Sequence, residues 1–263
     1  MIMSADAPTF AEVYPGHPEP QFRPLEFSRL PPQETLARAE AFYHEMQQRR
    51  TTRHFSRDAV PQAVIEWAVR TAGTAPSGAH RQPWRFVAVQ DPALKARLRE
   101  AVEAEEYKTY TGRMPEEWRA ALAPLGTDYV KAHLTDAPWV IVVFREKYGL
   151  NTDGTRTKNY YTVESASIAV GLLIAALHHA GLVTLTHTPN PMGFLAELLC
   201  RPRNEEALMV LPVGYPAPDA TVPELTRKPL EQIFQVDLGG TGVGGTDLDD
   251  TGLGSTGDQQ IEP

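Results

Sequence analysis

The chain of 263 residues contains a single cysteine, Cys200. One thiol rules out an intramolecular disulfide framework and any multi-cysteine metal site, and it fits a reducing cytoplasm. Long apolar runs are missing as well. The longest, residues 168–177, falls short of the roughly 20 residues that a bilayer-spanning helix needs. It reads as a buried core helix, and no membrane is expected as a partner. The N-terminus, MIMSADAPTFAEVYPGHPEP, has no basic segment followed by an apolar one, so no signal peptide or lipid anchor is expected. Positive charge is in deficit: 25 Lys and Arg against 33 Asp and Glu give a formal net charge of -8. Nothing global therefore points to nucleic acid or an anionic surface, and an anionic ligand must be held by a local cationic cluster.

Familiar catalytic signatures are also absent. There is no G-x-S-x-G elbow and no phosphate loop ending in Gly-Lys-Ser/Thr. The run GGTGVGG lies in a low-complexity tail with no strand–turn–helix around it, so it is not a dinucleotide fingerprint. His54, His80 and His187 are scattered, and the pair His178-His179 has no carboxylate or histidine partner at metal spacing. No metal site is expected.

What remains is an ordinary globular mix, with 42% hydrophobic and 22% charged residues. The first 32 residues are proline-rich and aperiodic and read as an extended N-terminal arm. Apolar spacing predicts a helix over 33–50, with Leu36, Ala39, Phe42, Tyr43 and Met46 recurring on one face, and a second over 61–73. A strand over 85–90, a helix over 91–110, an irregular stretch over 111–127 and a helical turn or two over 128–134 follow. Residues 138–144, PWVIVVF, are apolar throughout and predict a strand buried on both faces. A long helix over 157–180, a strand over 182–186, a short helix over 195–199 and a strand over 207–213 complete the pattern. From 239 the chain repeats Gly, Thr, Asp and Leu, a composition too poor in apolar surface to order itself. The expected organisation is an arm (1–32), one domain of helices flanking a mixed sheet (33–238) and a disordered tail (239–263).

Four clusters carry possible chemistry, and each also has a plain structural explanation. Arg49-Arg50-Thr51-Thr52-Arg53 places three guanidiniums at a helix end, fit either to bind a phosphate or to complement the helix dipole. Pro76-Ser77-Gly78-Ala79 is small enough to pass close to a flat ligand, or is simply a turn. Glu106 and Tyr110 share a helix face, and with Lys131 could clamp an amino-acid zwitterion, or could belong to a solvated acidic face. Thr184 to Pro189 (TLTHTP) ends a strand, where ligands of open sheets gather, or is a strand exit of turn-forming threonines and Pro189.

The segments RRTTRHFS, TAPSGAHRQPWRFVAV, NYYTVESASIAVGLLIAALHHAGLVTLTHTPN and LPVGYPAPDATVPELTRKPLEQI together resemble the nitroreductase superfamily, in its iodotyrosine deiodinase branch. The likeness runs from about residue 36 to 236. It implies an α+β, FMN-binding homodimer with swapped arms and both protomers contributing to each site. It implies that Arg49, Arg50, Thr51, Thr52, Arg53 and, in the C-terminal arm, Arg227 hold the flavin phosphate and polar edge. Pro76, Ser77 and Gly78 would pass the flavin ring, and Thr186, His187 and Thr188 would complete its surroundings, with Thr188 as the catalytic hydroxyl. The resemblance assigns Glu106, Tyr110 and Lys131, on a lid over 102–134, to the substrate zwitterion and the Ala79 N–H to its phenolate. The activity it implies is reductive dehalogenation of halotyrosines, with NAD(P)H or a separate reductase as electron source. The alternative is a general nitro- or quinone reductase, which has no need of the clamp. His187 departs from the branch pattern: the animal enzymes carry a threonine there.

Overall fold

Proline and glycine set most of the boundaries. The computed structural model describes residues 8–236, which fall in two units, 1–223 and 224–263. The tail from 239 and the first seven residues of the arm lie outside the described residues. In the first unit the arm holds one helical turn, α1 (Phe10–Val13), closed by a capping box between Thr9 and Glu12. Helix α2 (Pro32–Gln47) opens on proline, whose missing N–H costs nothing in a first turn. Helix α3 (Gln62–Ala72) stops at Gly73. Strand β1 (Trp84–Val89) leads to α4 (Pro92–Lys108), whose cap Asp91 accepts a hydrogen bond from the Leu94 N–H at 2.7 Å.

The stretch over 111–127 expected to be irregular contains α5 (Glu116–Leu122) and a 3₁₀ turn (Ala123–Leu125). Its glycines and prolines flank EEWRAAL, a run of good helix formers with acidic residues in the first turn. Next come α6 (His133–Asp136), β2 (Trp139–Glu146) and a small hairpin of β3 (Tyr148–Leu150) and β4 (Arg156–Lys158). The long helix α7 (Thr162–His179) begins later than its apolar pattern suggests, because Tyr161 sits in the left-handed region at φ 48°. Strand β5 (Val183–Thr184), α8 (Gly193–Leu198) and β6 (Glu205–Gly214) follow. The described part of the second unit, 224–236, contains one 3₁₀ turn (Leu230–Gln232) and Arg227.

The four-stranded sheet has the order β1-β2-β6-β5, and every neighbouring pair is antiparallel. The expected mixed sheet is corrected here. Among the described residues the only parallel contact is an isolated bridge from Thr51 to Thr184. An unbroken apolar run reports burial on two faces, not strand direction, and antiparallel strands give the same burial when helices cover both sides. Trp139, Ile141 and Val143 join Leu211 and Val213 against α3 and α7. Val140, Val142 and Phe144 join Val210 against α4, α6 and α8. The period-2 alternation of a strand thus feeds two cores at once.

Two helices show more apolar surface than the unit covers. By length and composition α7, with a mean hydropathy of 1.3, meets the test for a membrane span, which the shorter run 168–177 hid. Ala166, Ala169, Val170, Leu173 and Leu177 are nevertheless buried against the core, while Val163 and Ile168 stay exposed. Helix α2 buries none of its residues, and Leu36 is 69% exposed.

Candidate active site

Helix α4 and the sheet meet at Glu106. Helix α4 carries this carboxylate near its end and passes into a π turn, Thr109–Arg113, closed by a hydrogen bond from the Met114 N–H to the Thr109 carbonyl at 2.9 Å. Such wide turns often mark functional sites, and this one holds Tyr110. Lys131 arrives from the loop before α6. Its ammonium lies 3.4 Å from Glu106 Oε2 and also donates to the Asp128 carbonyl, with the Tyr110 ring 5.4 Å away. Tyr110 Oη donates to the Thr127 carbonyl at 3.3 Å, and the Lys131 N–H donates to Glu103 Oε1 at 2.6 Å. From the strand exit after β5, His187 Nε2 lies 2.9 Å from Glu106 Oε1. Backbone bonds in both directions with Val210 of β6 pin His187 in place.

These groups line a cavity of about 230 Å³, together with Arg53, His133, Thr186 and Thr188. Met114, Trp118, Leu122 and Leu125 form its apolar wall. The alternation after β5 leaves Leu185 and His187 buried and Thr186 and Thr188 exposed, so the two hydroxyl residues face the same way.

Electrostatics follow from burial and pairing. Burial pushes the Glu106 carboxyl up, but the hydrogen bond from His187 and the charge of Lys131 outweigh it and hold the group below the usual carboxylate range. Burial lowers Lys131, opposed by Glu106, and burial raises the Tyr110 phenol. Burial also lowers Arg53, a guanidinium with no carboxylate at ion-pair distance among the described residues. His133 packs edge-on to His187, ring centroids 5.8 Å apart, and burial with nearby positive charge pushes it down to about 3.

The arginine cluster borders a second cavity, of about 310 Å³, lined by Thr51, Arg53 and His54 on one side and Thr221, Val222 and Pro223 on the other. Arg50 donates to the Pro223 carbonyl, and the buried Thr52 donates its N–H to the Thr184 carbonyl at 3.3 Å. Arg53 lines both cavities and so links the basic cluster to the clamp.

The profile of the Nitroreductase family matches residues 46–215. The chain is 53% identical over 210 residues to an iodotyrosine deiodinase of Haliscomenobacter hydrossis, covering 80% of this chain and 95% of that protein. The chain belongs to the nitroreductase family, in its iodotyrosine deiodinase branch. Human iodotyrosine deiodinase 1 is 46% identical over 212 residues, covering 80% of this chain and 73% of that one. The crystal structure of an iodotyrosine deiodinase bound to FMN and 3-iodo-L-tyrosine superposes with a TM-score of 0.64 at 28% identity, covering 74% of this chain and all of the other.

In this nitroreductase-family chain the Pro76-Ser77-Gly78-Ala79 loop packs on the start of α7 and lines neither cavity. Ser77 Oγ accepts from the Gln82 N–H at 2.9 Å, and the Gly78 N–H donates to Ser165 Oγ at 3.3 Å. Glycine at 78 has a reason inside the chain: a Cβ there would lie 2.8 Å from the Tyr160 carbonyl oxygen. Ala79, His80 and Gln82 all adopt positive φ, at 49°, 53° and 48°. Such strain persists where surrounding structure over-determines it and clusters at ligand-handling loops. Two residues escaped the sequence reading. His54 accepts from the Thr221 N–H through Nδ1 at 3.4 Å and bonds Ala217 through its carbonyl, pinning the chain after β6. His133 reaches the cavity only through the packing of α6, and no local pattern marks it.

The depressed His133 makes a prediction for stability. Its folded value of about 3 lies below the ordinary 6.5, so between these values the unfolded chain binds more protons and stability rises with pH. The contribution is complete above about pH 6.5 and is lost toward pH 3, at about 1.4 kcal/mol per pH unit. Urea unfolding between pH 6.5 and 4.5 is expected to be steeper in pH for the parent than for His133→Phe by about that amount. Equal slopes would contradict the assignment.

Proposed function

We propose that this chain catalyses FMN-dependent reductive dehalogenation of halotyrosines, iodotyrosine to tyrosine and iodide. The observation that carries the reading is the convergence of Glu106, Tyr110 and Lys131 with Thr186 and Thr188 on one cavity. A carboxylate, a phenol and an ammonium at one point match an amino-acid zwitterion, which a general nitro- or quinone reductase does not need. The relatives named iodotyrosine deiodinase, and the similar structure bound to FMN and 3-iodo-L-tyrosine, support it.

The residues present fit FMN. A half-buried Arg53, with no carboxylate at ion-pair distance among the described residues, lies beside Arg50 and Thr51 and is the local cationic site that an acidic chain needs to hold a phosphate. Arg49, Arg50, Thr51, Thr52 and Arg53 would hold its phosphate and polar edge. Pro76, Ser77 and Gly78 would pass its ring, and Thr186, His187 and Thr188 would complete its surroundings, with the Thr188 hydroxyl toward N5. When bound, the reduced flavin supplies the two electrons.

The chain's own residues do the rest. Glu106 takes the substrate ammonium, and Lys131 and Tyr110 take its carboxylate, trading their present partners for those of the ligand. The Ala79 N–H meets the phenolate. Closure of the 102–134 lid excludes water and fixes the ring. Loss of halide as an anion needs the two electrons and one proton, and the proton goes to the ring carbon that held the halogen. A homodimer is part of the reading. The uncovered face of α2, the exposed Val163 and Ile168 of α7, and Phe22, Leu25 and Phe27 of the arm offer the apolar surface that a swapped-arm partner would bury. NAD(P)H or a separate reductase would supply electrons, in a cytoplasmic setting.

Titration of the purified flavoprotein with 3-iodo-L-tyrosine should quench flavin fluorescence with a dissociation constant of about 1 μM, roughly 8 kcal/mol, while nitrobenzoate should not. No quenching up to millimolar ligand returns the function to a general nitroreductase. Thr188→Ala is expected to suppress dehalogenation by about 100-fold, on the order of 2.7 kcal/mol, and to retain or raise nitro reduction. Unchanged dehalogenation in that variant removes Thr188 from the reaction.

A further inference from the structure

We propose that His187 is a positioning residue for the clamp: its ring holds Glu106 so that the carboxylate can accept the ammonium group of an amino-acid substrate. The proposal rests on the clamp reading above and adds to it a determinant of specificity.

Both oxygens of Glu106 are already engaged, Oε1 with His187 Nε2 at 2.9 Å and Oε2 with Lys131 Nζ at 3.4 Å. The three side chains are 12%, 10% and 4% exposed, so water screens them little. Glu106 belongs to the lid and His187 to the strand exit, so the hydrogen bond latches one to the other. His187 cannot move away easily. Its backbone is bonded twice to Val210, at 2.9 and 2.8 Å, and its ring packs against the His133 edge.

Its other nitrogen, Nδ1, is buried without a hydrogen-bond partner among the described residues. The neutral ring with its proton on Nε2 donates to Glu106 and leaves Nδ1 as a bare acceptor. Among the described residues, Glu106 on α4 is the one anion in contact with the ring. Lys131 before α6 and Arg53 after α2 are cations, Tyr110 of the π turn is a neutral phenol, and His133 of α6 is held neutral. A zwitterion adds no net charge to this set. With Oε1 held by His187 and Oε2 facing Lys131, the carboxylate is fixed for an incoming ammonium.

The test uses the flavin-loaded protein and two ligands, 3-iodo-L-tyrosine and 2-iodophenol, titrated by flavin fluorescence at pH 8. The readout is the ratio of their dissociation constants. His187→Leu should turn the ratio about tenfold against iodotyrosine. His187→Gln, which keeps an N–H donor, should hold it within about threefold of the parent. A ratio unchanged in His187→Leu overturns the proposal, as does parallel weakening of both ligands, which would mark a structural role. If the parent does not bind iodotyrosine, the clamp reading fails and this proposal with it. Binding whose ratio ignores His187 sinks this proposal alone.

Discussion

Glu106 is placed where a carboxylate is costly to keep, largely out of water, and it stays charged because Lys131 and His187 offset the burial. Much of the site depends on that balance. Removing Lys131 would leave the buried Glu106 charge without its charged partner, a defect that typically costs about 3–5 kcal/mol. The same three groups come from α4, from the loop before α6 and from the strand exit after β5. Their pairing therefore ties the end of α4 to the sheet as well as shaping a pocket. A zwitterion can exchange with these contacts without adding net charge.

The sheet supplies the rigid side of this arrangement. Strand β2 feeds two cores, and β6 beside it carries the backbone bonds that fix His187. On the other side, the π turn at Thr109–Arg113 swings Tyr110 toward Lys131, and α5 closes the wall with Trp118 and Leu122. Tyr110 thus sits on an element of irregular helical geometry, and His187 sits at a strand end.

Much of this was legible in the sequence, for reasons that differ from residue to residue. The spacing of Glu106 and Tyr110 showed a shared face because helical periodicity is local. That Lys131 joins them is tertiary: the residue types allowed it, and the likeness to the deiodinase branch singled it out. The VIVVF run announced two-sided burial and nothing about strand direction, so the expected mixed sheet became antiparallel with one parallel bridge at Thr51. The helix hidden in 116–122 lay between glycines and prolines that mark boundaries as readily as breaks. Gly78 was read as room for a ligand, and inside the chain it is room for Tyr160. His133 had no signal at all, since a lone histidine acquires meaning only from what packs against it. His187 stood out as a departure from the branch pattern, but its bond to Glu106 needed the fold.

The most direct measurement compares the affinity of the flavin-loaded protein for 3-iodo-L-tyrosine with that for 3-iodotyramine and N-acetyl-3-iodo-L-tyrosine. The first analogue lacks the carboxylate and the second the ammonium, and both keep the iodophenol. The account predicts that each analogue binds at least about 100-fold more weakly, since each strands one side of a buried charge set at a cost on the order of 2.7 kcal/mol. Equal affinity for all three ligands would show that Glu106, Tyr110 and Lys131 hold one another rather than a substrate, and would contradict the clamp.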